Sequence, residues 1–260
     1  MTLPAALLDL ARHPSDSAFV TDFDGTLAPI VEDPSAAVPL PQSLDALERL
    51  ADRLGLVAVI SGRPIAYLRE RITIERVVLV GHYGLERLVD GQVVVDPRAE
   101  PYVDAIAAAA ADAQRRWPSL LLERKGKIAF TVHWRNAPSS APRADELASL
   151  AEQHGLQLQP GRMACELRPP VRVDKGTVFV ELAHDFHPRV FAGDDLGDLA
   201  AFNVGFGTAP DHGHTVRIAV RSPEIPPGLL ERADFGVDGP EGLATLLTEL
   251  ADAISSRRQP

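Results

Sequence analysis

Short runs of β-branched and aliphatic residues recur along the chain, and each run ends at a polar turn that contains glycine. The runs Ala18–Asp22, Leu56–Ile60, Val77–Val80 and Val190–Ala192 lead into DFDGT, SGRP, GHYG and GDDLGD. Ser43–Leu54 has leucines at three- and four-residue spacing, and Pro64–Ile72 begins with proline, so both are predicted helices. This alternation predicts an α/β protein with a doubly wound, Rossmann-like parallel sheet. Ligands of such sheets bind at the carboxyl ends of the strands, where all four turns lie.

The middle of the chain has a different pattern. Asp90-Gly91 is a hairpin signal, and Pro101–Trp117 and Pro142–His154 have helical patterns. Further strands are predicted at Leu120–Glu123, Lys127–His133, Gln157–Gln159 and Ala164–Leu167. We therefore predict a second α/β domain that is inserted into the first. The predicted domains are a core of residues 1–97 and 172–260 and an inserted domain of residues 98–171.

Composition narrows the class of protein. The chain has 260 residues, 45% of them hydrophobic, and a formal charge of −10, which argues against an electrostatic nucleic-acid binder. The single cysteine, Cys165, excludes an internal disulfide and fits a reducing compartment. The apolar runs are much shorter than the roughly 18 residues of a membrane span, and the N-terminus lacks the basic start of a signal peptide. We expect a soluble, cytoplasmic protein with no nucleic-acid or membrane partner.

Asp22 and Asp24 are two carboxylates separated by one residue at the end of the first predicted strand. Alternate side chains of a strand point to the same side, so these carboxylates should lie close together. Such proximity raises the pKa of one carboxyl unless a cation neutralises the pair. A magnesium ion would divide their roles, leaving one an ionised nucleophile and the other a protonated acid. Taken alone, the pair is more typical of a polar strand end followed by a loop.

The other turns change that interpretation. GDDLGD places three carboxylates within five residues, an oxygen-rich set that suits magnesium. Lys175 begins a predicted helix, where a cation and backbone N–H groups can meet a phosphate. Ser61 adds a hydroxyl, and Gly62 adds a flexible backbone. Together these residues indicate a phosphate-processing site.

DFDGT, SGR, the lysine of DKG and GDDLGD, in that order, resemble the four motifs of haloacid-dehalogenase-type phosphatases. The predicted inserted domain lies between the second and third motifs, as in members with an α/β type 2 cap. Longer segments are similar to the trehalose-phosphatase family: DFDGTLAPIVEDP, GHYGLE, ERKGKIAFTVHWRNAP and PGRMACELRP. The resemblance covers the chain from about Asp22 to Leu250 and implies a haloacid-dehalogenase-like core with a type 2 cap.

The resemblance also implies a role for each site residue. Asp22 would be the nucleophile and Asp24 the acid–base residue, both catalytic together with Lys175. Thr26, Ser61, Gly62 and Lys175 would bind phosphate, and Asp22, Asp24 and Asp194 would ligate magnesium. Asp195 and Asp198 would support Lys175 and the metal ligands. Sugar recognition would fall to Glu123, Lys125, Arg162 and Glu166.

We therefore predict a magnesium-dependent phosphomonoesterase of trehalose biosynthesis that releases phosphate from trehalose 6-phosphate through an aspartyl-phosphate, with a functional link to trehalose-6-phosphate synthase. Two alternatives stay open: a phosphatase for another disaccharide or glycoside phosphate, and an inactive regulatory subunit that binds the sugar phosphate. The chain departs from the family pattern at Gly197 and Leu199, where many relatives have threonine and glutamate, and at Arg162, where relatives often have lysine.

Overall fold

The computed structural model describes residues 3–161, 163–205, 215–223 and 225–256. The strands in that part are β1 (Ala18–Thr21), β2 (Leu56–Ile60), β3 (Val77–Gly81), β4 (Glu86–Val89), β5 (Gln92–Val95), β6 (Leu121–Lys125), β7 (Ala129–His133), β8 (Gln157–Gly161), β9 (Ala164–Arg168), β10 (Arg189–Gly193), β11 (Thr215–Arg221) and β12 (Phe235–Asp238). The helices are α1 (Leu8–Arg12), α2 (Pro41–Ala51), α3 (Ile65–Arg69), α4 (Val103–Arg116), α5 (Ala144–Gln153), α6 (Lys175–Ala183), α7 (Leu199–Phe202), α8 (Pro227–Leu230) and α9 (Gly239–Ser256).

The chain divides into two compact units. The first comprises Met1–Gly62, Tyr67–Gly84 and Val173–Pro260, and the second comprises Arg63–Ala66 and Leu85–Arg172. The hairpin β4–β5, which the sequence pattern assigns to the core, therefore groups with the second unit. Contacts of Glu86 explain this grouping: its carboxylate accepts a hydrogen bond from Ile65 N–H at 3.0 Å and lies against Gly126.

Parallel strands form the sheet of the first unit, in the order β12-β11-β10-β1-β2-β3. β1 is central, and its last residue, Thr21, lies beside Val59 of β2 and Ala192 of β10. The chain runs outward in both directions from β1, which makes the carboxyl end of β1 the switch point of a doubly wound sheet. The predicted α/β fold with a parallel sheet is confirmed. Along the described ranges, every helix is too short or too polar to cross a lipid bilayer.

Aromatic packing and a small residue position α6 against the sheet. Phe179 of α6 is fully buried and meets Phe191 of β10 edge to face, with ring centroids 5.3 Å apart. At Gly176, a Cβ atom would lie 2.5 Å from the carbonyl oxygen of Ala200, so only glycine permits the close approach of α6 to α7. This packing fixes Lys175, the first residue of α6, in the first unit.

The second unit contains a four-stranded antiparallel sheet in the order β6-β7-β9-β8. Phe130, Val132 and Leu167 point from one face of this sheet into a cluster that includes Ile106 of α4 and Leu150 of α5. Because side chains alternate along a strand, the residues between them belong to the opposite face. That opposite face carries polar residues.

Candidate active site

Three polar residues meet at the carboxyl ends of neighbouring strands of the first unit. Asp22, Ser61 and Asp194 directly follow the last residues of β1, β2 and β10. The strand ladder continues into this region, since Asp22 N–H donates a hydrogen bond to the Ala192 carbonyl at 2.9 Å and Ser61 N–H donates to the Val80 carbonyl at 2.9 Å. Neighbouring strands are only about 4.8 Å apart, so the fold brings together three turns that are distant in sequence.

The ammonium group of Lys175 joins two aspartates from different loops. Its Nζ lies 2.6 Å from Asp22 Oδ1 and 2.6 Å from Asp198 Oδ1, and all three side chains are buried. Burial lowers the pKa of Lys175, but the carboxylates of Asp198 and Asp22 outweigh that effect and raise the pKa above its ordinary value. Lys175 is therefore a fixed cation beside Asp22.

Asp22 is a buried carboxylate whose charge is only partly compensated. Burial raises its pKa well above the ordinary value, Lys175 opposes that rise, and the nearby Asp198 and Asp194 add to it. Asp22, Asp194, Asp195 and Asp198 surround this single lysine. Ionisation of all four carboxyls would therefore be favoured by a further cation.

Asp198 hydrogen-bonds both Lys175 and the loop after β10. One of its oxygens accepts the hydrogen bond from Lys175, and the other accepts N–H bonds from Asp194 at 2.9 Å and Asp195 at 3.1 Å. A side chain at Gly193 would collide with this carboxylate, so the loop requires glycine there. Burial raises the pKa of Asp198. Because both oxygens are already in use, the bonding of Asp198 suits a structural role.

Thr26 and Gly25 set the position of Asp194. The Thr26 hydroxyl donates a hydrogen bond to Asp194 Oδ1 at 2.7 Å, and Thr26 is fully buried. Gly25 has a φ of +76°, and a Cβ atom there would collide with the Asp194 carboxylate. Burial raises the pKa of Asp194 to about 7, although the Thr26 bond opposes the rise. The family resemblance implies that Thr26 binds phosphate, and in the structure its hydroxyl bonds Asp194.

The donor set of the site suits a hard divalent cation. Asp22, Asp195 and Asp198 each offer a carboxylate oxygen, and these oxygens lie within 4.8 Å of one another. This group differs from the set expected from sequence, which was Asp22, Asp24 and Asp194. All of these ligands are oxygens, which fit magnesium rather than a soft metal.

The SGR turn is shaped by an aromatic residue that the sequence analysis did not assign to the site. A Cβ atom at Gly62 would lie 2.6 Å from the Tyr83 ring, and Tyr83 N–H donates a hydrogen bond to the Ser61 carbonyl at 2.9 Å. Tyr83 has a φ of +58°, in the left-handed region that is unusual for a side chain of this size. Its one sequence signal is the pair of glycines around it in GHYG.

The second unit holds three of the four predicted sugar-recognising residues on the polar face of its sheet. Lys125 Nζ lies 2.6 Å from Glu166 Oε2, and Glu123 Oε2 lies 2.8 Å from His133 Nε2. Arg162 lies outside the described residues. His133 was not among the residues predicted for the site; alternation along β7 identifies the face on which it lies but not its partner, Glu123.

A comparison with protein families decides the family of this chain. The trehalose-phosphatase family model matches residues 20–226, which include every site residue discussed above. The chain belongs to the trehalose-phosphatase family. A trehalose-phosphate phosphatase of Mycobacterium bovis is 35% identical over 257 residues, which cover 93% of this chain and 62% of that protein. The chain thus spans less than two thirds of the length of that curated relative.

Solved structures agree with the trehalose-phosphatase fold. A trehalose-6-phosphate phosphatase related protein has a TM-score of 0.72 at 20% identity, covering 93% of this chain and 100% of that one. A trehalose-6-phosphate phosphatase of Aspergillus fumigatus has a TM-score of 0.63 at 24% identity, covering 96% of this chain and 97% of that one. At such identities the likeness concerns the fold alone.

Proposed function

We propose that this protein is a magnesium-dependent phosphomonoesterase that hydrolyses trehalose 6-phosphate to trehalose and phosphate. The observation that carries the proposal is the 2.6 Å contact between Lys175 and Asp22, a buried carboxylate at the central strand end of a trehalose-phosphatase family member. A carboxylate beside a fixed cation is the arrangement that covalent phosphoryl transfer needs.

Asp22 is the nucleophile in this proposal. A carboxylate oxygen of Asp22 attacks phosphorus as the bond between phosphorus and the sugar oxygen breaks, which gives an aspartyl-phosphate. Water then attacks phosphorus, phosphate leaves, and the Asp22 carboxylate is restored. Lys175 offsets charge on the transferring oxygens, while the Ser61 hydroxyl and the backbone N–H groups of Thr26 and Gly62 orient them.

Asp24 is the acid–base residue. It is half-buried one turn beyond β1, where Gly25 N–H bonds the Ala28 carbonyl at 2.8 Å and closes the turn. The alkoxide of a sugar hydroxyl is a poor leaving group, so a proton from Asp24 assists its departure. The resulting Asp24 carboxylate then accepts a proton from the attacking water.

Magnesium, when bound, stabilises negative charge on the phosphoryl oxygens as a Lewis acid. We assign its protein ligands to Asp22, the Asp24 main-chain carbonyl and Asp194. We assign Asp195 and Asp198 to holding the loop and Lys175, because Asp198 has both oxygens engaged and Asp195 accepts Gly197 N–H at 2.8 Å.

Sugar recognition is assigned to Glu123, Lys125 and Glu166 on the polar face of the second unit, together with Arg162. This assignment makes the second unit the substrate-selecting cap of a haloacid-dehalogenase-like core. Hydrogen bonds to sugar hydroxyls discriminate well, because a substrate without those hydroxyls leaves charged groups unpaired. The phosphate site alone would accept any phosphate monoester.

Supply of the substrate requires a glycosyltransferase that forms trehalose 6-phosphate, so we infer a functional link to trehalose-6-phosphate synthase. We place this chemistry in the cytoplasm, since the sequence has one cysteine, Cys165, and therefore no internal disulfide, which fits a reducing compartment. The net charge of −10 disfavours a nucleic-acid partner.

Two rival functions make different predictions. A phosphatase for another disaccharide or glycoside phosphate would use the same core with a different preferred sugar. An inactive regulatory subunit would be expected to lose the nucleophile or the metal carboxylates, whereas Asp22, Asp24 and Asp194 are all present here. The retained carboxylates favour an active enzyme over an inactive regulatory subunit.

The deciding experiment measures phosphate release from a panel of sugar phosphates, with and without magnesium, using the Asp22→Asn variant as the blank. We expect the highest kcat/KM with trehalose 6-phosphate and no turnover after chelation. A different best substrate would favour the first rival, and binding without phosphate release would favour the second. Full activity after exhaustive chelation would remove the metal from the proposal.

A further inference from the structure

One row of side chains crosses the whole polar face of the sheet in the second unit. Strand register aligns Glu123 with Thr131, Thr131 with Glu166, and Glu166 with Gln159. We call these four residues the polar row. With neighbouring strands about 4.8 Å apart, the row is roughly 14 Å long, and Thr131 lies between the two glutamates.

Thr131 is the unusual member of the polar row. It is 5% exposed, and its hydroxyl has no hydrogen-bond partner among the described residues. A buried hydroxyl without a partner costs free energy, so proteins normally satisfy such groups. The neighbours of Thr131 along β7, Phe130 and Val132, pack into the apolar cluster with α4 and α5, so alternation places Thr131 on the polar face.

Both carboxylates beside Thr131 already have partners within the second unit. Glu166 is paired with Lys125 at 2.6 Å, and Glu123 is paired with His133 at 2.8 Å. A ligand with several hydroxyls can accept hydrogen bonds from the Lys125 ammonium and donate hydrogen bonds to both carboxylates. The ligand chemistry that fits this surface is therefore a polyol.

We infer that the Thr131 hydroxyl is a specificity-determining contact that hydrogen-bonds a hydroxyl of the sugar between Glu123 and Glu166. The inference rests on the proposed function and deepens it, since it adds a neutral hydroxyl to the charged sugar-recognising residues. Bound sugar would give the Thr131 hydroxyl the partner that it lacks.

The test compares Thr131→Val, which removes the hydroxyl at nearly constant shape, with Thr131→Ser, which keeps it. The readout is kcat/KM for trehalose 6-phosphate divided by kcat/KM for p-nitrophenyl phosphate, a substrate with no sugar. Loss of one hydrogen bond predicts that this ratio falls about three- to ten-fold in Thr131→Val and stays within about two-fold of wild type in Thr131→Ser.

Thermal stability separates recognition from structure. Deleting an unpartnered hydroxyl removes no protein hydrogen bond, so Thr131→Val should have a Tm equal to or above that of wild type. Ser43→Ala is the matched control, because the Ser43 hydroxyl in α2 is also buried without a partner among the described residues. It should leave the ratio unchanged.

Three results would overturn the inference in distinguishable ways. Equal ratios in Thr131→Val and wild type would refute the Thr131 contact while leaving the proposed function intact. A lower Tm with parallel losses on both substrates would make Thr131 a structural residue. Failure of the wild type to hydrolyse any sugar phosphate in the panel would overturn the proposed function and this inference together.

Discussion

The Thr26 hydroxyl donates a 2.7 Å hydrogen bond to Asp194, a residue 168 positions away in sequence. This buried bond links the turn after the central strand to the loop after β10, and it leaves one Asp194 oxygen on the side of Gly25. A hydrogen bond that orients a ligating carboxylate tunes the affinity of a metal site. In the proposed magnesium site, Thr26 is therefore a positioning residue for Asp194.

We expect Thr26→Val to raise the magnesium concentration at half-maximal rate by about 10-fold or more, because Asp194 loses its orienting donor. Thr26→Ser keeps the hydroxyl and should stay near wild type. The measurement is a magnesium titration of initial rate for each variant. A Thr26→Val enzyme with unchanged magnesium dependence and a lower rate at saturation would place the Thr26 hydroxyl on the phosphate instead.

Asp22→Asn should reduce turnover by at least about a thousand-fold, because the amide cannot attack phosphorus. The fold should survive, since burial already disfavours the Asp22 charge and Lys175 keeps its contact with Asp198. Turnover and Tm are measured together, with Asp45→Asn on the exposed side of α2 as the control. Retention of more than about 1% of wild-type turnover would assign the nucleophile to another residue.

Much of the fold follows from local pattern. The buried runs predicted β1, β2, β3 and β10 to within one or two residues, because a strand covered on both faces needs continuous apolar side chains. The Asp90-Gly91 signal is confirmed as a hairpin turn, with φ of +49° and +75°. The predicted helix Pro64–Ile72 is shorter and ends at Arg69, where β-branched residues soon follow.

The contacts within the site are harder to predict from the sequence. Motif order predicts that Asp22, Lys175 and Asp198 share one site, but the two 2.6 Å contacts depend on how closely α6 approaches α7, and that distance is set by Gly176. Likewise, alternation places Glu166 on a strand face, whereas its pairing with Lys125 depends on strand register, which one sequence does not reveal.

Asp24→Asn should lose activity in proportion to how much the leaving group needs a proton. We expect a fall of about 100-fold or more on a sugar phosphate, where an alkoxide must depart, and a much smaller fall on p-nitrophenyl phosphate. The measurement is single-turnover release of each leaving group. Equal losses on the two substrates would argue that Asp24 positions the metal or the turn instead of donating a proton.

Glu123→Ala and Glu166→Ala should each reduce kcat/KM for trehalose 6-phosphate by about ten-fold or more, with little effect on p-nitrophenyl phosphate. The physical reason is that each truncation removes the proposed hydrogen bonds to the sugar and leaves His133 or Lys125 without its carboxylate partner. Glu152→Ala on the exposed side of α5 is the control. If neither glutamate variant changes the substrate ratio, the two ion pairs merely stabilise the surface, where such pairs contribute little.

The contacts of Asp112 allow a prediction of how the thermal stability of the second unit changes at acidic pH. Its carboxylate on α4 pairs with His154 Nε2 at 2.8 Å and also contacts Arg115. The hydrogen bond from His154, helped by Arg115, lowers the pKa of Asp112 below its ordinary value of 3.8. A carboxyl with a lowered pKa in the folded state adds stability above the pKa of the unfolded state, and that stability is lost as pH falls through the folded pKa. Asp112→Asn should therefore have a lower Tm than wild type at neutral pH.

The difference in Tm between wild type and Asp112→Asn should shrink as pH falls below 3.8 and through the lowered pKa of Asp112, because the wild-type carboxyl then becomes protonated as well. Thermal unfolding measured at several pH values at constant ionic strength provides the test. Asp104→Asn, on the exposed side of the same helix, controls for the general effect of removing a negative charge from α4. A difference in Tm that stays unchanged down to the most acidic pH at which both proteins remain folded would mean that the Asn side chain disturbs packing between α4 and α5, since protonation would then make no difference. A difference that closes on acidification ties the stability to the Asp112 charge, because the two side chains are nearly the same size and differ mainly in ionisation.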